Sequence, residues 1–372
     1  MKIQGVTPFI MHIPVTGNQI SDSTHTISHW GVVGVRIRSS GGKEGFGFTG
    51  THAQVSSDRL ISRLLSDVYA PLLEGRLLED HQSIWGDLFH FPPLQWVGRA
   101  GLTQLALSAV DMALWDLRAK HSEMPLWALL GGSRPGRVRA YNTDVGWLSL
   151  GRSQLVEACR RACQEEGFTG VKIKVGQDNL EEDVRRVEEV RRAVGQDVTI
   201  AVDANGRLDL PTAVRLSHRL EPYDVTWFEE PMWYDDVEAH AQLARLTRIP
   251  IALGEQIYTV ESLCQFMLRG AVQFVQPDST RIGGVTAFLR AVESATAQSL
   301  PVAPHAGEMS QVHVHIAFHS PACSVLEYIP WIRTCFAEPV EVQEGYFVRP
   351  EAPGAGTTPT AESLERYGKS VG

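Results

Sequence analysis

The sequence predicts an α/β fold: a closed parallel barrel of modified TIM type, preceded by an α+β capping domain that the C-terminal tail completes. Three observations predict it. From about residue 138, short apolar β-type runs alternate with amphipathic helical patterns. Each strand-plus-helix unit takes 20 to 30 residues, close to the roughly 30 expected when about 250 residues form eight units of such a barrel. Several of the runs also end abruptly in acids, as in VTIAVDANG, VTWFEEP and IPIALGEQ.

The first 125 residues read as the cap. VVGVRIRSSGGKEGFGFTGT has the pattern of a β-hairpin around Gly41-Gly42, Ser56 to Phe91 is largely helical, and LTQLALSAVDMALWDLRAKH is a long apolar helix leading into the barrel. The barrel is expected over residues 126 to 328. Its strands are VRAYNT, GVKIKVG, VTIAVDANG, VTWFEEP, IPIALGEQ, VQFVQPD, LPVAPHAG and SVLEY. Between them lie helices such as LVEACRRACQEEG and LEEDVRRVEEVRRAVG, the second opened by an Asp-Asn cap signal and closed by glycine. An open doubly wound sheet would bring a glycine-rich phosphate loop after its first strand, and YNTDVGWLSLG has no G-x-G-x-x-G. The tail, 329 to 372, contains PEAPGAGTTPT, too rich in turn residues for another barrel layer, and is expected to fold back on the cap.

Composition narrows the function classes. The chain has 372 residues, 43% hydrophobic and 21% charged, enough for a large core. A formal net charge of -9 with no Lys/Arg run argues against nucleic acid as a partner. Five cysteines, an odd number without a C-x-x-C pair, indicate neither a disulfide framework nor a zinc ribbon and favour a cytoplasmic location. The N-terminus lacks the apolar core of a signal peptide, and no run of about 18 apolar residues could span a bilayer, so no membrane partner is expected.

In such a barrel the C-terminal strand ends open on one face, where catalytic residues gather. Asp203, Glu229 and Glu255 end the third, fourth and fifth strands and are expected to converge. Three carboxylates repel unless a cation sits among them, and an all-oxygen set suits a hard divalent ion, Mg2+. Glu229 and Glu230 are adjacent and point to opposite sides of the strand, so one can be a ligand; alternation does not settle which. Asn205 shares the face of Asp203 and is expected to support the site. Lys172 and Lys174 both point into the barrel mouth, where a second ammonium would lower a lysine's pKa and free it as a base. Asp278 and His305 end the sixth and seventh strands as a proton-transfer pair, and Glu327 on the eighth offers a hydrogen bond to a developing oxyanion. This layout suits removal of a proton next to a carboxylate. His313, His315 and His319 in QVHVHIAFH do not form a metal set, because on a helix the first two diverge by about 200°.

These residues resemble the enolase superfamily, specifically its mandelate racemase and muconate lactonizing branch, over essentially the whole length. The resemblance implies a (β/α)7β barrel, Mg2+ held by Asp203, Glu229 as the first acid of FEEP, and Glu255, with Glu230 behind them. It implies Lys174 as base with Lys172 as its neighbour, the Asp278–His305 dyad, and Glu327 on the oxyanion side. The sixth strand lacks the lysine of lactonizing and dipeptide-epimerizing members, which favours the mandelate racemase subgroup and its acid-sugar dehydratases. Members of the family place an N-terminal loop over the substrate. Here that loop is ISDSTHTISHW, with His25, Thr26 and Trp30 as expected substrate contacts, and its polar side chains favour a sugar acid. The implied reaction is dehydration to a 2-keto-3-deoxy acid; racemization, epimerization or cycloisomerization on the same residues, or a non-catalytic sensor on the scaffold, are the alternatives. A homo-oligomer is expected from the same resemblance.

Overall fold

Alternating apolar and polar residues in the N-terminal segment build a four-stranded sheet from β1 (Ile3–Pro14), β4 (His29–Ser39), β5 (Glu44–Thr51) and the late β15 (Gly368–Lys369), in the order β15-β1-β4-β5. A computed structural model describes residues 1–15, 20–132, 137–306 and 310–371. Between β1 and β4, a small hairpin of β2 (Ile20–Ser21) and β3 (Thr26–Ile27) projects toward the barrel. The predicted hairpin turn lies between β4 and β5, which pair antiparallel from Gly31↔Thr51 to Arg38↔Glu44.

The 20-residue helix Leu102–His121 packs across this sheet. Close approach explains the glycines of EGFGF: a Cβ added to Gly47 would lie 2.1 Å from the Ala109 carbonyl oxygen and 2.5 Å from the Ala113 nitrogen. Neither backbone atom can yield without moving the helix. A Gly47→Ala variant is therefore expected to lose about 1–3 kcal/mol of stability, the usual cost of overpacking, measured as a lower urea midpoint at unchanged slope.

The second sheet is the barrel. β6 (Val138–Asn142), β7 (Gly170–Lys174), β8 (Thr199–Asp203), β9 (Val225–Glu229), β10 (Ile251–Leu253) and β11 (Phe274–Val275) run parallel in sequence order, and β12 (Val325–Tyr328) returns beside β6. The seventh predicted strand is reduced to one residue, Val302, whose bridges to Val275 and Cys323 close the ring. Strand alternation sorts the side chains into two cores. Val171, Ile173, Ile200, Val202, Phe228, Ile251 and Leu253 face the surrounding helices. Tyr141, Ala201, Trp227, Ala252 and Ala303 form a separate inner cluster, which sets Lys172, Lys174, Asp203 and Glu229 on the inward face as well.

The tail divides between the two parts of the fold. β13 (Val342–Gln343) and β14 (Tyr346–Phe347) pair beside β6, and β15 pairs with β1. The expectation that all of it packs on the cap therefore holds for its end and not for β13 and β14, which extend the barrel sheet. Buried Asp116 of the long helix joins three segments: it accepts from the Phe46 nitrogen at 2.9 Å, the Ala355 nitrogen at 2.7 Å and Lys120 Nζ at 2.6 Å. Cap and barrel are fastened by the same helix, whose Asp111 accepts from the Thr286 backbone and hydroxyl at 2.8 and 2.7 Å. Among the described residues, no helix is long and apolar enough to cross a membrane.

Candidate active site

The ladder brings Lys174, Asp203 and Glu229 level with one another on three neighbouring strands. All three are buried, as are Lys172, Glu230, Glu255, Asp278 and Glu327. Lys174 Nζ donates to Asp203 and, at 3.0 Å, to the side-chain oxygen of Asn205. Lys172 Nζ lies deeper, bonded to Glu229 at 2.5 Å and to Glu327 at 2.7 Å. Trp227 Nε1 and Gln276 Nε2 donate to the other Glu229 oxygen at 3.0 and 2.8 Å. On the opposite side His305 Nδ1 meets Asp278 at 2.7 Å, while its Nε2 meets Glu255 at 2.9 Å. Arg281 reaches Glu255 at 3.1 Å and Asp278 at 3.6 Å.

Each acid expected to bind metal is thus paired with a base. Among the described residues, no group of three or more His, Cys, Asp or Glu side chains is gathered to hold a metal ion; Asp203 and Glu229 lie level on neighbouring strands and Glu255 follows the end of β10, each bonded to a base of the barrel mouth. The same pairing reverses the expectation that Lys174 is a neutral base. Burial pushes its ammonium down, but Asp203 in contact outweighs both that and the repulsion of Lys172, and the pKa is raised. Lys172 is likewise held well above its ordinary value, burial being overcome by Glu229 and Glu327. Glu327 accepts from the Thr143 hydroxyl at 2.6 Å and from the Ala306 nitrogen at 3.3 Å. Burial favours its acid form, yet Lys172 and His305 hold its pKa lowered.

Two acids are pushed toward their protonated forms. Burial raises Glu229 to about 7, with Asp203 and Glu327 adding to the push against Lys172. Glu230 is raised well above the carboxylate range by burial, then by Glu255, Asp203 and Glu229. Its φ of 38° is left-handed, a strained conformation for a non-glycine residue at the strand end, and its Oε1 is buried without a hydrogen-bond partner. Six buried acids (Asp203, Glu229, Glu230, Glu255, Asp278, Glu327) face four bases (Lys172, Lys174, Arg281, His305). With all six acids ionised and His305 protonated the excess would be two negative charges, that of one divalent cation. An all-oxygen donor set with an orphaned carboxylate oxygen fits Mg2+.

The β2–β3 hairpin forms the roof. Ser23 Oγ donates to the Ala204 carbonyl at 2.6 Å, and the Leu148 nitrogen donates to Ser21 O at 2.9 Å, fixing the hairpin over the end of β8. Asp22, His25, Trp30, His52, Trp147, Lys174, Asn205, Glu255, Arg281, His305 and Glu327 line one cleft. His25 and Trp30 therefore stand where the sequence places them. Thr26 does not: it is exposed, and the neighbouring Ile27 faces the cleft, because β3 pairs Thr26 with Ser21 and alternation turns its side chain outward. Asp22, missed as an individual residue, is held at about 2; burial opposes this, but the His25 hydrogen bond, Lys174 and the Thr24 nitrogen prevail. His52 is pushed down to about 4 by burial and stays neutral. His313, on the buried helix Ser310–His319, sits 3.1 Å from the second Asp278 oxygen, so that acid lies between two imidazoles.

Comparison with known proteins agrees with this architecture. Residues 6–131 match the mandelate racemase/muconate lactonizing enzyme N-terminal domain, and residues 154–363 match the enolase C-terminal domain-like family. The chain is 34% identical over 349 residues to an L-talarate/galactarate dehydratase of Salmonella typhimurium, covering 90% of this chain and 82% of that one. It is 32% identical over 345 residues to an arabinonate dehydratase of Saccharolobus solfataricus, covering 90% of each. A racemase from Streptomyces coelicolor A3(2), solved with bound magnesium, superimposes with a TM-score of 0.91 at 30% identity, covering 99% of this chain and all of the other. The chain belongs to the mandelate racemase/muconate lactonizing enzyme family of the enolase superfamily.

Proposed function

We propose that this protein is a magnesium-dependent sugar acid dehydratase in which Lys174 removes the proton next to the substrate carboxylate and His305 protonates the departing 3-hydroxyl. The observation that carries the assignment of roles is that Lys174 and His305, each tied to its own acid, face one cleft from strands on opposite sides of the barrel. The dehydratases among its relatives support the reaction class, and the magnesium-bound relative supports the metal. Asp203, Glu229 and Glu255 would hold the cation, with Glu230 beside them. When bound, the ion withdraws charge from the substrate carboxylate and so acidifies the neighbouring C–H.

The residues of the chain do the rest. Once Asp203 is engaged elsewhere, Lys174 loses the contact that holds its proton, and burial beside Lys172 lowers its pKa. Asn205 keeps the amine oriented. Asp278, backed by His313, fixes the His305 tautomer with Nε2 toward the substrate. Loss of the α-proton and of the 3-hydroxyl as water leaves an enol that becomes the 2-keto-3-deoxy acid. Racemization is the second reading, favoured by the racemase relative; it needs the same two groups to exchange a proton at one carbon.

Proton NMR in D2O with Mg2+ and a panel of sugar acids tests both. A keto-deoxy product that disappears with chelator is expected. Deuterium entering the α-position without loss of water would replace dehydration by racemization. Self-association is supported by the exposed apolar group Leu60, Trp96, Val97 and Leu102 on the cap, and a cytoplasmic location by five free cysteines.

A further inference from the structure

The roof of the cleft and the wall beside it, where the Trp147 ring lies 5.3 Å from Lys174 Nζ, are built from charge and surface of unusual kind for a site that handles acids. Asp22 reaches into the cleft from the β2–β3 hairpin. One of its oxygens accepts from the Thr24 nitrogen at 2.7 Å and the His25 nitrogen at 2.6 Å, so the carboxylate cannot swing away. The other meets His25 Nδ1 at 3.1 Å. With His25 protonated the pair is neutral, and with His25 neutral it is negative. In neither state does the roof present net positive charge, since His52, in edge contact with His25 at 4.5 Å between ring centroids, is uncharged. Among the described residues of the cleft, the permanent cations are Lys174 and Arg281, both already bound to barrel acids.

The adjoining wall is aromatic. Trp147 and Trp331 stand 5.3 Å apart at 39°, and both indole N–H groups donate to one Asp144 oxygen, at 3.3 and 2.6 Å. That anchors the rings with their N–H groups turned to Asp144 and leaves ring surface to the cleft, backed by Ile20 and Ile329. Indole faces stack well on the C–H face of a polyol or cyclised sugar and solvate an anion poorly.

We propose that the substrate is a monocarboxylic sugar acid of the aldonate class, whose uncharged far end is received by Asp22 and the Trp147–Trp331 wall, and that dicarboxylic aldarates are rejected there. This deepens the dehydratase reading and rests on it. Discrimination comes from a repulsive element as much as from attraction: a second substrate carboxylate directed at the roof would meet a fixed carboxylate of the same sign, and the described roof residues include no Lys or Arg to receive it.

The test compares kcat/KM for C5 and C6 aldonates with the aldarates of matching stereochemistry, using the full chain with Mg2+ and NMR detection of keto-deoxy product. The best aldonate is expected to exceed its matching aldarate by at least about tenfold, a modest ratio for one buried like-charge contact. An Asp22→Asn variant, nearly isosteric, is expected to narrow that ratio severalfold by raising aldarate turnover. An aldarate turned over as well as or better than its aldonate by the unaltered protein overturns the inference while leaving the dehydratase reading intact. An unchanged ratio in Asp22→Asn also overturns it, since the acid would then play no part in selection. Failure of both substrate classes to lose water sinks the dehydratase reading, and the inference with it.

Discussion

A His305→Asn variant is expected to exchange the substrate's α-proton with solvent while releasing keto-deoxy acid about 10^3-fold more slowly than the unaltered protein, and Lys174→Met to do neither. The two groups are separated across the cleft and have different partners: Asp203 and Asn205 for Lys174, Asp278 and Glu255 for His305. Removing the acid therefore leaves the base in place. Exchange in D2O, followed by loss of the α-proton signal, reads the base alone, whereas product reads both. If His305→Asn loses exchange and product together, His305 rather than Lys174 removes the proton and the assignment inverts.

Lys174→Met also carries a structural consequence that must be kept apart from catalysis. Without metal it leaves Asp203 buried with one fewer positive neighbour, and breaking a buried pair from one side typically costs about 3–5 kcal/mol. Mg2+ is expected to restore most of that loss, because the cation supplies the missing charge. A variant with recovered melting temperature and no exchange has lost chemistry; one that stays unstable with Mg2+ has lost its fold.

Much of this site could be read from strand alternation alone. Period two fixes Lys172 and Lys174 on one face and the strand-end position puts Asp203 and one acid of the Glu229–Glu230 pair at the same mouth, but that the inward acid is Glu229 follows from its register with Asp203 and not from the pattern. Pairing was not legible. Which lysine takes Asp203 and which takes Glu229 depends on depth in the barrel, set by stagger between strands, and a strand pattern carries no stagger. Thr26 against Ile27 turned on the register of a two-residue hairpin, where one step exchanges inside for outside. Trp147 and Trp331 meet through Asp144 across a long separation in sequence. The position of His313 behind Asp278 needs the tertiary placement of a helix whose two buried histidines point apart.

Binding of Mg2+ is expected to release protons and to weaken as pH falls below about 7. In the metal-free protein, burial raises Glu229 to about 7 and Glu230 well above the usual carboxylate range. The two excess negative charges of the strand-end acids are thus answered by protons rather than by a cation. The sign follows from linkage: an acid whose folded pKa is raised binds more protons folded than unfolded as pH climbs from about 4.5 toward 7, so across that window Glu229 alone makes the metal-free fold less stable. A bound cation instead requires Glu229 ionised. Below pH 7 each ion must displace its proton, and affinity should fall about tenfold per pH unit for one proton released, or about a hundredfold for two. Titration calorimetry in buffers of different ionisation enthalpy counts those protons directly. One proton assigns Glu229 as the ligand with Glu230 remaining neutral beside it; two bring Glu230's unpartnered oxygen into the charge balance of the ion. A pH-independent affinity between pH 5.5 and pH 8 would mean that neither raised acid meets the cation, and would remove Glu229 from the proposed ligand set.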